Sequence, residues 1–291
     1  MPARFPDTTF LAASGTANTT KAKPDTCQVL VTKPGCQVWA LGSKRILKSK
    51  NWYPGCEIDV ENTQYVRTIC DDFPMPEILT SWTDKGQFIT IQSRIEGIEL
   101  ERAIPSLKKD DLAVIGHQLG QYLLRLRRAT DQRMRMLDGR KVIDRRLLKP
   151  LPNDTPHGNV TTDQHVRDEL ESRIAGKTER RIVLALMKKM PTALPFTYSH
   201  SDLHEGNIMV KDGQFVGLID WELAGFYPVW WDYVNSCELL SDYLPAELRH
   251  DDALEWFRVY HSIRERPEAA ETKALVLKYL GPLDGLKGDT K

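Results

Sequence analysis

Residues 198–220 read YSHSDLHEGNIMVKDGQFVGLID, and the spacing of their polar groups decides the fold. The stretch admits three readings: a solvated turn, a metal site or a catalytic loop. His200, Asp202 and His204 alternate, which would set three ligands on one face only if the segment were a strand. DLHEGN has loop composition instead, and the other histidines, at 117, 157, 165, 250 and 261, follow no ligand pattern. Phosphoryl transfer makes different demands. It needs a carboxylate to take a hydroxyl proton and, one turn later, an amide oxygen for magnesium. Asp202 and Asn207 stand in that order at the H-x-D-x-x-x-x-N spacing. A second metal-binding acid should follow a short hairpin. IMV and FVGLID flank the tight-turn sequence KDG and end on Asp220, so the hairpin would return that carboxylate beside the loop.

Upstream, the chain from Cys27 to Ser93 is strand-like. CQVLV, CQVWAL, RILKSK, EILTSW and FITIQS are short β-branched or aromatic runs parted by Pro, Gly and Asp. In SWTDKGQF, Asp84 and Gly86 are suited to the unusual angles of a hairpin turn. A single helix interrupts the strands after the third: in EIDVENTQYVRTIC, Ile58, Tyr65 and Ile69 share one stripe, and DDFPMP ends it. A kinase-type site needs a lysine on the third strand, where Lys48 shares a face with Ile46, and an acid on the following helix. Glu57, Asp59 and Glu61 compete for that role. Glu61, three residues after Ile58 and four before Tyr65, is the choice on helix phase. All three could equally serve the helix dipole.

Past Gly97 the pattern turns helical. DDLAVIGHQLGQYLLRLRRA places Leu112, Ile115, Leu119, Tyr122 and Leu126 on one face; further helices are expected over 163–190, from Trp230, and from Pro245 to Arg266. Residues 130–160 read as a long basic excursion. The expected fold class is therefore α+β: a small antiparallel β-rich lobe with one inserted helix, then a larger, mainly helical lobe, with a ligand cleft between them. The divisions are a disordered tail at 1–25, the first lobe at 26–97, the second at 98–270 and a C-terminal helix or tail at 271–291.

SHSDLHEGNIMV followed by GLIDWELAGFYPVWWDYV resembles the aminoglycoside phosphotransferase/choline kinase family, of protein-kinase-like fold, and is most similar to its many fungal members of unknown substrate. The likeness spans about residues 35 to 265, with its most specific motifs in the second lobe. It implies Asp202 as catalytic base, Asn207 and Asp220 as magnesium ligands, His200 as a brace of the loop, and Asp232 as its anchor from the next helix. It also implies DWE in place of the protein-kinase DFG. The first lobe lacks G-x-G-x-x-G, so Gly35 in KPGCQVWAL marks the phosphate-covering loop by position only. The lobe linker should be IQSRIEG, with backbone groups from Ser93 to Ile95 meeting adenine.

The expected activity is transfer of the γ-phosphoryl group of Mg-ATP to a hydroxyl of a small acceptor. A protein kinase is the competing enzyme, disfavoured by the lack of an A-P-E-like segment. A silent nucleotide-binding scaffold is disfavoured because every base and metal position survives. Acids such as Glu222, Glu238 and Asp242 would suit a cationic acceptor, with Glu222 the leading acceptor-side residue. The rings of Trp221, Phe226, Tyr227, Trp230, Trp231, Tyr233, Trp256, Phe257 and Tyr260 could cage an ammonium group or form core, core being the expectation. The 291 residues carry 40 basic and 40 acidic side chains, so charge makes no case for nucleic acid or anionic membrane. No apolar run reaches the roughly 20 residues of a membrane span. Five scattered cysteines without a C-x-x-C pair favour a reducing compartment, and cytoplasm is the expected location.

Overall fold

The computed structural model describes residues 26–140, 142, 146–148 and 160–282; the expected tail at 1–25, about half of the excursion and the last residues of the chain lie outside them. The chain divides into two compact units. The first comprises the residues up to Glu57 together with Pro76–Glu96, and the second comprises Ile58–Met75 and Gly97–Lys291.

The first unit is a five-stranded antiparallel sheet. Its strands are β1 (Cys27–Lys33), β2 (Cys36–Leu41), β3 (Arg45–Asn51), β4 (Ile78–Asp84) and β5 (Gln87–Ser93), in the order β1-β2-β3-β5-β4. Alternation decides its faces: Phe88, Thr90 and Gln92 of β5 are buried, and the register sets them opposite Lys50, Lys48 and Ile46 of β3. The β4–β5 turn uses Lys85 (φ 46°) and Gly86 (φ 75°) as its left-handed pair, so Asp84 stays in the strand rather than bending the turn.

In the second unit, α1 (Ile58–Ile69) leads to β6 (Ile98–Glu99), α2 (Leu100–Ala103) and α3 (Lys109–Leu126). The short strands β7 (Thr130–Asp131) and β8 (Arg135–Met136) precede α4 (Asp163–Ile174) and α5 (Arg180–Lys188). The single helix expected over 163–190 is thus two, broken where Gly176 takes φ 73°. Next come β9 (Phe196–Ser199), β10 (Ile208–Lys211), β11 (Gln214–Leu218), β12 (Gly225–Tyr227), α6 (Trp231–Asn235), α7 (Glu238–Ser241), α8 (Asp251–Glu265) and α9 (Ala270–Leu280). Two small antiparallel sheets, β11-β10-β6 and β7-β9-β12-β8, carry the segments on either side of the loop at 200–207.

Helix α1 belongs with the second unit, although the sequence suggested that it sits with the strands. Its buried residues are Ile58, Asp59, Val60, Asn62, Thr63 and Val66, of which Asp59, Asn62, Thr63 and Val66 form an i, i+3, i+4, i+7 stripe of mostly polar composition. Glu61 lies on the exposed face. Reading phase from apolar residues alone turned the helix by about one residue, because its inner side bonds main chain as well as packing on the core. Asn62 Nδ2 donates to the carbonyls of Trp221 (2.7 Å) and Ala224 (3.2 Å), and its Oδ1 accepts from the Tyr198 hydroxyl (3.0 Å).

All nine aromatic residues singled out in the C-terminal half are buried, so they are core and not a ligand cage. Trp256 stacks on Tyr260 at 5.3 Å while its Nε1 donates to the Leu186 carbonyl at 2.9 Å. Such ring pairs add roughly 0.5–1.5 kcal/mol beyond area burial. Among the described residues no helix is long and apolar enough to cross a membrane.

Candidate active site

The loop between β9 and β10 is held on three sides. His200 is fully buried, and both of its ring nitrogens are engaged: Nδ1 accepts the Asp202 N–H at 3.2 Å, and Nε2 faces the Ile219 carbonyl at 3.1 Å. A carbonyl can only accept, so Nε2 carries the proton and the ring is neutral. Burial acts the same way, lowering the pKa of His200 against the smaller raising effect of Asp202. An imidazole spent in this manner braces the loop and has no lone pair left for a metal.

Ser201 takes a left-handed backbone (φ 66°), uncommon for a residue with a side chain. Its hydroxyl accepts from Trp231 Nε1 at 2.8 Å, and its N–H donates to Asp232 Oδ1 at 3.4 Å. Asp232 therefore holds the loop from α6. Burial pushes its carboxyl up to about 7, against the lowering effect of the Ser201 and His200 N–H groups and of Arg127.

The strained turn delivers Asp202 half-exposed. Asn207 Nδ2 donates to Asp202 Oδ2 at 2.9 Å and to the Asp202 carbonyl at 3.0 Å. Two acceptors on the nitrogen fix the orientation of the carboxamide, which leaves Asn207 Oδ1 as the atom available to a cation. His204 Nε2 lies 3.6 Å from the same Asp202 Oδ2. That contact raises the pKa of His204, with partial desolvation opposing it. His204 thus stands beside the carboxylate.

The hairpin then brings in Asp220. β10 and β11 are joined by Asp212 (φ 51°) and Gly213 (φ 72°), the two left-handed residues of a type I′ turn. The strand pair ends where Ile219 is gripped by the loop from both sides: its N–H donates to the Asn207 carbonyl at 3.0 Å, and its carbonyl meets His200. Two residues later the Trp221 N–H donates to Asp59 Oδ1 at 3.0 Å. Asp220, itself left-handed (φ 68°), is clamped between those two anchors. Asp59 and Asn62 thus position the end of the hairpin, a role that an apolar-period scan of α1 could not find. The signal was a mid-helix Asn-Thr pair, poor helix formers that need another reason to be there.

In the sheet unit, Lys48 sits half-buried on β3 opposite Thr90. Gly35 (φ 75°) forms the tip of the β1–β2 hairpin. The Ser93 N–H is committed to the Glu77 carbonyl at 2.8 Å, so an adenine could not use it; Ile95 lies beyond the end of the strand. Glu222 is half-buried in the short 3₁₀ turn Trp221–Leu223.

These side chains offer oxygen ligands suited to a hard cation. Magnesium takes one or two protein oxygens and completes its shell with water and phosphate, which Asn207 Oδ1 and the Asp220 carboxylate fit. Among the described residues no three His, Cys, Asp or Glu side chains gather where they alone could hold a metal.

Residues 57–271, well over half of the chain, match the phosphotransferase enzyme family (APH). The chain belongs to this family. Its fold is protein-kinase-like, as the solved structures it resembles indicate. Aminoglycoside phosphotransferase APH(2'')-Ib with ADP bound aligns with a TM-score of 0.54 at 10% identity, over 90% of this chain and 93% of that one. The streptomycin-ATP-APH(2'')-IIa ternary complex aligns at 0.55 and 11% identity, over 88% and 90%. Macrolide 2'-phosphotransferase MphH from Brachybacterium faecium aligns at 0.50 and 13%, over 88% and 92%. No curated protein matches the chain.

Proposed function

We propose that this protein transfers the γ-phosphoryl group of ATP to a hydroxyl of a small molecule. The observation that carries the reading is the state of Asp202: Oδ2 is tied to the Asn207 carboxamide at 2.9 Å, while no described residue bonds Oδ1. An acceptor hydroxyl would donate to Oδ1. As its oxygen bonds the γ-phosphorus, the bond to the β–γ bridging oxygen breaks, ADP leaves, and the hydroxyl proton passes to Asp202. Magnesium arriving with the nucleotide would be held by Asn207 and Asp220 and would neutralise phosphate charge. Lys48 is the candidate for the phosphate-binding lysine that the chemistry also requires. The choice of ATP is supported by family membership and by the ADP and ATP named in the similar structures.

A small acceptor accords with the same relatives. A cationic one would be met by carboxylates, Glu222 first, because the aromatic side chains of the C-terminal half are spent in the core. Five free cysteines suit the cytoplasm.

The test is a screen of aminosugars, polyols and amino alcohols with γ-labelled ATP, comparing the wild type with Asp202→Asn. The wild type should label at least one acceptor and the variant none, with Mg-ADP raising the melting temperature of both alike. Equal labelling by the variant would remove Asp202 from the base role. Stabilisation by Mg-ADP without turnover on any acceptor would turn the reading toward a nucleotide-binding scaffold.

A further inference from the structure

One residue of the loop remains outside the roles assigned so far. His204 is half-exposed and occupies neither the base position nor a metal position, yet its ring is held in place by its own loop. The Gly206 N–H donates to His204 Nδ1 at 3.0 Å. Nδ1 is therefore the accepting nitrogen of the neutral ring, and the proton lies on Nε2. Nε2 lies 3.6 Å from Asp202 Oδ2. That separation exceeds a direct hydrogen bond, so the contact is an electrostatic one between an N–H dipole and a neighbouring carboxylate.

Gly206 shows that the ring's placement is built in. The residue lies outside the left-handed backbone region, so its conformation is open to any side chain. What excludes one is the imidazole: a Cβ at 206 would come within 2.8 Å of His204 Cε1 and 3.0 Å of Nδ1. The glycine thus lets the ring lie flat over the loop while supplying the N–H that sets its tautomer.

Resting on the phosphotransferase reading above, we propose that His204 is a positioning residue for Asp202. Bonded at Oδ2 by the Asn207 amide and met there by the His204 N–H, the carboxylate is kept from rotating about its Cβ–Cγ bond. Oδ1 then stays directed outward at the acceptor. The dipole contributes through orientation, so its loss should slow the chemical step without weakening nucleotide binding.

Two isosteres separate this role from a purely structural one. In His204→Asn, the side-chain oxygen can replace Nδ1 as acceptor for Gly206, but no donor reaches Asp202. In His204→Gln, the amide nitrogen can replace Nε2 as donor, while the Gly206 acceptor is lost. The assay is phosphate release from Mg-ATP with water as the acceptor, using the full chain, with the Mg-ADP melting shift as a control of fold and binding. His204→Asn should lower kcat about tenfold and leave KM for Mg-ATP within about twofold, whereas His204→Gln should keep most of the wild-type kcat. Gly206→Ala, which displaces the ring, should lower kcat in the wild-type background and add nothing in His204→Asn.

Wild-type kcat in His204→Asn, or a His204→Gln as slow as His204→Asn, overturns the positioning role alone. A wild-type rate no higher than that of Asp202→Asn overturns the phosphotransferase reading, and the positioning role with it.

Discussion

Asp232 should make this protein lose stability as pH rises from about 4 to about 7, and Asp232→Asn should abolish that loss. The carboxyl is only 8% exposed and is pushed from its ordinary 3.8 to about 7, chiefly by burial. A group whose folded pKa is raised binds its proton more tightly in the folded state. Its stabilising contribution is therefore complete below about pH 4 and is lost as pH climbs toward 7. The interval between 3.8 and about 7, at about 1.4 kcal/mol per decade of proton affinity, amounts to roughly 4 kcal/mol. His200 and His250 act in the opposite direction. Burial lowers both, so each favours the folded state as pH rises toward the ordinary histidine value of 6.5. Both histidines are present in wild type and variant, so their effects cancel in a difference. Urea unfolding of the two proteins at several pH values between about 4 and 8 gives that difference directly. Wild type minus variant should fall by about 4 kcal/mol across the window and then level off. A difference independent of pH, or one that grows with pH, would refute the buried, proton-holding carboxyl.

Other perturbations test the packing behind the site. Asn62→Ala strands the carbonyls of Trp221 and Ala224 and the Tyr198 hydroxyl in the interior, and should cost about 2–4 kcal/mol in chemical denaturation. It should also weaken Mg-ADP binding in calorimetry, because Asp220 sits one residue before Trp221. Gly120→Ala would place a Cβ 2.1 Å from Pro245 Cδ. Although alanine is the better helix former, the overlap should lower stability by about 1–3 kcal/mol, and an unchanged or raised melting temperature would show that α3 does not approach Pro245 so closely.

The catalytic loop could be read from the chain because its geometry is local. Asp202 and Asn207 lie within one turn, and Asp220 returns over a hairpin whose length is set by the two turn residues Asp212 and Gly213. The α+β order of strands and helices was likewise carried by period and punctuation, and so was the helix inserted after the third strand. The glycine break between α4 and α5 was also written in the chain, but periodicity spoke over it. Where the reading of α1 failed, the cause was non-local. Asn62 meets Tyr198 and Trp221 at 136 and 159 residues' separation, so the local Asn-Thr signal could not name the partners that bring a polar side chain inside.

By itself, then, the sequence determined which candidate groups stand together and in what order, since neighbours along a tight turn cannot be far apart. Only the tertiary structure decided which way those groups face. The tautomer of His200 follows from a carbonyl on the far side of the hairpin. The buried face of α1 follows from main-chain acceptors near Trp221, and the hold on Asp202 Oδ2 from the Asn207 carboxamide. Each is a matter of hydrogen-bond direction, which is fixed only once both partners are in place.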